Sequence, residues 1–144
     1  MSMVLGLAAA ALLAVSAQAL TLVKDGQPAS VIVTGNNPAP SQKVAAEEVQ
    51  YHLKKMTGAT VPIVAERALR DSKQTLILVG QSDLLKAKGV DTATLPRETM
   101  IVRTVEGALI LAGEDGGSLR EPYNSSRVRT GTLFAVYDFL QDQL

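Results

Sequence analysis

The chain has 144 residues, 47% hydrophobic and 19% charged, which suffices for one packed domain and excludes a disordered chain. Fourteen basic residues balance fourteen acidic ones, which argues against a nucleic-acid or anionic-membrane partner, since both need a basic face. There is no cysteine and a single histidine, which removes disulfides, thiolate chemistry, Cys-ligated metals and an acylated lipoprotein cysteine, and leaves a Ser-His-Asp or Cys-His site almost no material.

Val4 to Val15 is an unbroken run of apolar and glycine residues, followed by the small-x-small pattern Ala17-Gln18-Ala19. A spanning helix needs about 20 apolar residues, and this run is shorter and ends in a cleavage pattern. Residues 1–19 are therefore predicted to be a signal peptide and residues 20–144 the mature domain. The protein is expected to be exported, periplasmic or extracellular, with no stable membrane span after cleavage. No Lys or Arg precedes the run, a departure from the signal-peptide pattern.

Leu20 to Val23 and Ser30 to Thr34 read as two strands of a hairpin around the Asp25-Gly26 turn. Gly35 to Pro40 is a loop by composition. Ser41 is positioned to cap a long helix to Thr57, with Ala45, Val49, Leu53 and Met56 on one face, Ala46 and His52 at its margin, and Gly58 as its stop. Thr60 to Val64 is a strand whose internal Pro62 places it at an edge or a bulge. Thr75 to Val79 is a near-continuous apolar run, expected to be central and covered on both faces. Asp83 to Lys88 reads as a short helix. Glu98 to Thr104 alternates, with Met100, Val102 and Thr104 on one side, and returns through Glu106-Gly107 into Ala108 to Ala112 as a second hairpin. Gly113 to Val128 is a long Gly-, Ser- and Arg-containing loop. Arg129 to Leu144 closes the chain as an amphipathic helix with Leu133, Val136, Tyr137, Leu140 and Leu144 on one face. The order predicts an α+β fold: one mixed, largely antiparallel sheet with two main helices packed on one face.

No cofactor is indicated. Glu48 and His52 lie four apart on a helix, but a zinc site needs at least three protein ligands and no third is signalled; a boundary histidine is the simpler account. Cleavage of a glycosidic bond needs two carboxyls about 5 to 9.5 Å apart across a sugar. Glu47 and Glu48 diverge on their helix, Asp138 and Asp142 share a solvated face, and Glu114-Asp115 lies beside glycines at a hairpin exit. Thus no catalytic residue is assigned. Gly113 to Ser118 is glycine-rich but lacks the Lys-Ser/Thr of a P-loop and carries acids at its centre. Arg120, Arg127 and Arg129 could clamp a carboxylate, or could be solvated or paired with acids. Asn124-Ser125-Ser126 matches a glycosylation sequon, which has meaning only in a eukaryotic secretory route.

Two stretches together resemble a known family. One runs from Ala45 through Met56-Thr57-Gly58 to Val61-Pro62-Ile63. The other runs from Leu76-Ile77-Leu78-Val79-Gly80 through Gly107 and Leu109-Ile110-Leu111-Ala112-Gly113 to Arg129-Thr130-Gly131-Thr132-Leu133-Phe134-Ala135-Val136-Tyr137-Asp138-Phe139-Leu140. They are similar to the N-terminal α/β domain that precedes the barrel in bacterial β-N-acetylhexosaminidases (family 20), α-glucuronidases (family 67) and related uncharacterised proteins. The resemblance covers nearly the whole mature chain. Phe134 stands where the family often has Tyr, and the Gly113 to Arg129 loop is enlarged. The resemblance implies a zincin-like fold without the zinc site and a non-catalytic accessory role. It places the catalytic carboxylates in a barrel after Leu144, so the partner is that barrel, with carbohydrate as a further partner. The length and arginines of the enlarged loop give the expectation that Arg120, Arg127 and Arg129 approach substrate in the whole enzyme, and Phe134 and Phe139, on the other flank of the last helix, are expected to meet the barrel. The alternative is a stand-alone periplasmic binding or interaction module.

Overall fold

The structure is a computed structural model that describes residues 19–116 and 129–143. The fold is α+β. Its main sheet has five strands in the order β4-β3-β5-β7-β6: β3 (Ser30–Thr34), β4 (Ile63–Ala65), β5 (Thr75–Val79), β6 (Met100–Val105) and β7 (Ala108–Gly113). Two-residue ladders flank it, β1 (Val23–Lys24) with β2 (Gln27–Pro28), and β8 (Asp115–Gly116) with β9 (Arg129–Thr130). The helices are α1 (Pro40–Thr57), the short α2 (Asp83–Ala87) and α3 (Gly131–Gln143).

The strand directions correct the largely antiparallel expectation. β4, β3, β5 and β7 run parallel, and only the edge strand β6 is antiparallel to its neighbour. The physical cause lies in the connections. Antiparallel neighbours can be joined by a two-residue turn, as β6 and β7 are around Gly107, whereas the helix α1 between β3 and β4 is a crossover that returns the chain in the same direction. The first predicted hairpin shrinks for the same reason. Asp25 (φ 51°) and Gly26 (φ 73°) do form a tight turn between β1 and β2, but Ser30 to Thr34 leaves it to pair in parallel with β4 and β5.

Register sorts the core into two layers. Ile32, Ile77 and Leu109 form one cross-strand row, joined by Val79 and Leu111, and this face packs under Ala45, Ala46, Val49 and Leu53 of α1 and Leu133, Val136 and Phe139 of α3. Both main helices therefore lie on one face, as the hydrophobic patterning indicates. The opposite row, Val33, Leu78 and Ile110, is covered by Leu85 of α2 and by Val90. Burial on both faces explains why β5 and β7 read as continuous apolar runs. The internal Pro62 precedes β4, which is at the sheet edge as expected.

Three helix assignments shift. Ser41 lies inside α1; Ala39 is the N-cap residue, and its N–H donates to the Gln42 side chain. Met56 is exposed, because the residues from Lys54 to Gly58 all project beyond the core. Phe139 is buried while Tyr137 is 44% exposed, so α3 is rotated from its predicted face. The segment Leu20 to Val23 accounts for Phe139: freed from pairing with β3, it lies against the core and shares a hollow with Leu53 and Phe139.

Candidate functional site

All four parallel strands point their carboxyl ends at one crevice of about 340 Å³. β4 delivers Glu66, β3 delivers Gly35, Asn36 and Asn37, β5 delivers Gln81, Ser82 and Asp83, and β7 delivers Asp115 and Gly116. The chain leaving β3 climbs over one face of the sheet as α1, whereas the chain leaving the adjacent β5 turns to the other face as α2. Where neighbouring parallel strands send their connections to opposite faces, a crevice opens outside their carboxyl ends, and this is where open α/β sheets bind ligands.

The walls are built by side chains that tie separate loops together. Gln42, on the first turn of α1, accepts from the Ala39 N–H with Oε1 (3.1 Å) and donates through Nε2 to Asp115 Oδ2 (2.7 Å). Asp115 also accepts from the Thr132 backbone N–H (2.9 Å) and from the Thr132 hydroxyl (2.5 Å), so a carboxylate remote in sequence caps the first turn of α3. The Gly113 N–H donates back to Thr132 Oγ1 at 3.2 Å. Burial pushes the Asp115 carboxyl above its ordinary value of 3.8, against the hydrogen bonds of Thr132 and Gln42, which favour the charged form. On the other wall, Glu66 accepts from Asn36 Nδ2 (3.2 Å) and from the Leu84 N–H (3.1 Å), and Asn36 Oδ1 accepts from the Arg67 N–H (3.0 Å). Ser82 Oγ accepts from the Leu85 N–H at 3.0 Å.

Close backbone approach sets the shape of the crevice. A Cβ on Gly35 would overlap the Gln81 carbonyl, and one on Gly131 would lie 2.7 Å from the backbone of Glu114 and from the Thr99 carbonyl. The Gly131-Thr132 pair of the closing helix thus has a defined task. Glycine lets the helix start press against the strand ends, and threonine joins it to Asp115 and Gly113.

Glu114, one residue before Asp115, is directed elsewhere. Arg129 Nε donates to both of its oxygens at 2.8 Å, with Nη2 2.7 Å from Oε1. The Arg129 hydrogen bond, the largest influence, holds the Glu114 carboxyl below its ordinary value of 4.5. Of the three predicted arginines, Arg129 is therefore committed to an acid, and Arg120 and Arg127 lie outside the described residues, as does the sequon at Asn124. Glu48 and His52 form an i,i+4 contact of 3.4 Å on the outer side of α1, with the histidine ring edge-on to Tyr51. Among the described residues no group of three His, Cys, Asp or Glu side chains is placed to hold a metal ion. No helix among them is long and apolar enough to cross a membrane. No family model matches this chain, and none of the curated proteins does.

The sequence singled out neither Gln42 nor the crevice. One signal was present: three strands end in a glycine followed by two polar residues, Gly35-Asn36-Asn37, Gly80-Gln81-Ser82 and Gly113-Glu114-Asp115. Those triplets converge only once the strands are known to be parallel.

Proposed function

We propose that this chain is the accessory α/β domain of an exported carbohydrate-active hydrolase of the hexosaminidase or α-glucuronidase kind. In this reading it supports a catalytic barrel carried further along the same polypeptide. The observation that carries the proposal is an apolar strip along one edge of the molecule. Phe134 (63% exposed) and Tyr137 are three apart on the outer side of α3. Met100 and Val102 are paired with Gly113 and Leu111 on β7, which sets them on the same side of the sheet as α3. Among the described residues, four of the six exposed large hydrophobic side chains thus gather along α3 and the edge strand β6. Phe134 and Met100 share a hollow rimmed by Arg97, Glu98, Glu114 and Arg129. An apolar centre with a charged rim is the anatomy of an interface. The strip belongs to the helix whose Gly131 to Leu140 stretch resembles the element that leads into the barrel in the hydrolase family.

The test has two arms. The mature polypeptide from its native source is expected to extend past Leu144 into a segment of several hundred residues that releases nitrophenol from chromogenic N-acetylglucosaminides or glucuronides, while the present chain releases none. In that whole protein, Phe134→Asp together with Met100→Asp is expected to separate one thermal transition into two. A native polypeptide that stops at Leu144, or activity from this chain alone, overturns the proposal.

A further inference from the structure

The crevice at the strand carboxyl ends has a wall whose groups are spent and an exposed rim whose groups are not. The carboxylates of Glu66 and Asp115 each accept hydrogen bonds on both oxygens from the protein itself. By contrast, the amides of Asn37 and Gln81, the carboxylate of Asp83 and the ammonium of Lys86 line the same space with no hydrogen bond or ion pair among the described residues. All four are exposed. The unspent set therefore offers donors and acceptors side by side.

The chemistry of this lining eliminates most ligand classes. An anion would meet three acids and one lysine. A metal ion would find the carboxylates of Glu66 and Asp115 already bonded to N–H and O–H donors, and no trio of ligands is assembled among the described residues. Nucleobases and apolar molecules bind against aromatic or aliphatic walls, and the apolar lining here is confined to small residues such as Ala39 and Pro40. The unspent charges are one carboxylate, Asp83, and one ammonium, Lys86, a balance that favours a neutral molecule which both gives and receives hydrogen bonds. The volume, at the small end of the range for ligand sites, holds about one ring.

We infer that the switch-point crevice is a binding site for a neutral monosaccharide or a single sugar ring of a longer glycan, held by Asn37, Gln81 and Asp83. Asn37 and Gln81 come from loops on the two sides of the switch point, so a ring seated between them is gripped from both. Vicinal hydroxyls suit planar amides and carboxylates, which offer two polar atoms at a fixed spacing. This inference does not depend on a barrel following the domain, because every residue it uses lies within the chain.

The experiment is a titration of the full chain, followed by amide chemical shifts, with glucose, galactose, mannose, xylose and N-acetylglucosamine. Glucuronate and glucosamine serve as charged controls. At least one neutral sugar is expected to shift Asn36, Asn37, Gln81 and Ser82 saturably, with a Kd of about 1 mM, typical of a small polar ligand in an open site. Asn37→Ala combined with Gln81→Ala is expected to weaken it about tenfold, the effect of losing a hydrogen bond or two of about 1 kcal/mol each. Both side chains are exposed and carry no hydrogen bond among the described residues, so an unchanged spectrum elsewhere verifies the fold. No saturable shift with any neutral sugar, shifts away from the crevice, indifference to the double substitution, or tighter binding of either charged control would each overturn the assignment.

Discussion

Glu114 and Asp115 are neighbours in the chain and opposites in the fold. Glu114 points to the rim of the apolar strip, where Arg129 grips both oxygens in a part-buried ion pair. Asp115, on the other side of the backbone, turns into the crevice and holds α1 and α3 together through Gln42 and Thr132. Successive residues of an extended chain face opposite ways, so a single step of sequence separates an ion pair beside the apolar strip from a junction between two helices. The lesson is that an acidic pair beside glycines need not be a catalytic dyad. Two carboxylates directed to different partners cannot face one substrate.

The comparison predicts unequal costs. Asp115→Ala strands the Thr132 N–H, the Thr132 hydroxyl and the Gln42 amide, and is expected to lower stability by about 3 kcal/mol, the scale of unsatisfied buried donors. The shift should appear in the urea midpoint. Glu114→Ala breaks one part-buried ion pair and leaves an arginine that reaches solvent, so it is expected to cost less than stranding three buried donors. Equal losses would break the contrast. Gly131→Ala comes next. Its Cβ would press on three backbone atoms 2.7 Å away, of Glu114 and Thr99, against which the better helix propensity of alanine offsets only part. A net loss of about 2 kcal/mol is expected by the same denaturation, from the strain scale of overpacked sites.

Much of the fold was legible because it rests on local patterns. The apolar run of β5 marked a buried strand, Glu106-Gly107 marked the turn between β6 and β7, Pro62 marked an edge or a bulge, Gly58 marked the end of α1, and the Met100-Val102-Thr104 alternation marked one side of β6. Strand direction was not legible, since an apolar run reads the same both ways and only the length of the intervening connection separates a crossover from a hairpin. The crevice was hidden for a related reason. Gln42 reads as a polar residue on a helix, and its partner Asp115 lies 73 positions away, so no spacing rule brings them together. Tyr137 and Phe139 exchanged roles because the closing helix is apolar on two sides, and the packing of Leu20 to Val23, not periodicity, decides which side is covered.

Smaller effects should appear in pH dependence, and the two acids should differ in sign. Asp115 has its folded pKa raised above 3.8, so it adds stability as pH falls through the folded value and withholds it above. Glu114 has its folded pKa lowered below 4.5, so its contribution is full above 4.5 and is lost as pH falls through the folded value. Between about pH 5 and pH 3, a window spanning the ordinary carboxylate values, Asp115→Asn is expected to lose Tm more steeply than the unmodified chain, and Glu114→Gln less steeply. Parallel profiles for the two variants would mean that the carboxylates share one environment.

The smallest effect on stability should come from the apolar strip itself. Phe134→Ser removes a side chain that is 63% exposed and absent from the packed core, so the isolated chain should change by less than about 0.5 kcal/mol, as ordinary surface sites do. The contrast with Phe139→Ser tests the rotation of α3. Phe139 is 6% exposed and packed in the core, and truncating a buried phenylalanine costs about 3 kcal/mol or more. Two phenylalanines five residues apart on one helix should therefore separate cleanly in thermal unfolding. If Phe134→Ser unfolds the chain as readily as Phe139→Ser, the outer side of α3 belongs to the domain's own core. It would then not be a surface held open for a partner, and the accessory-domain proposal would lose the observation that carries it.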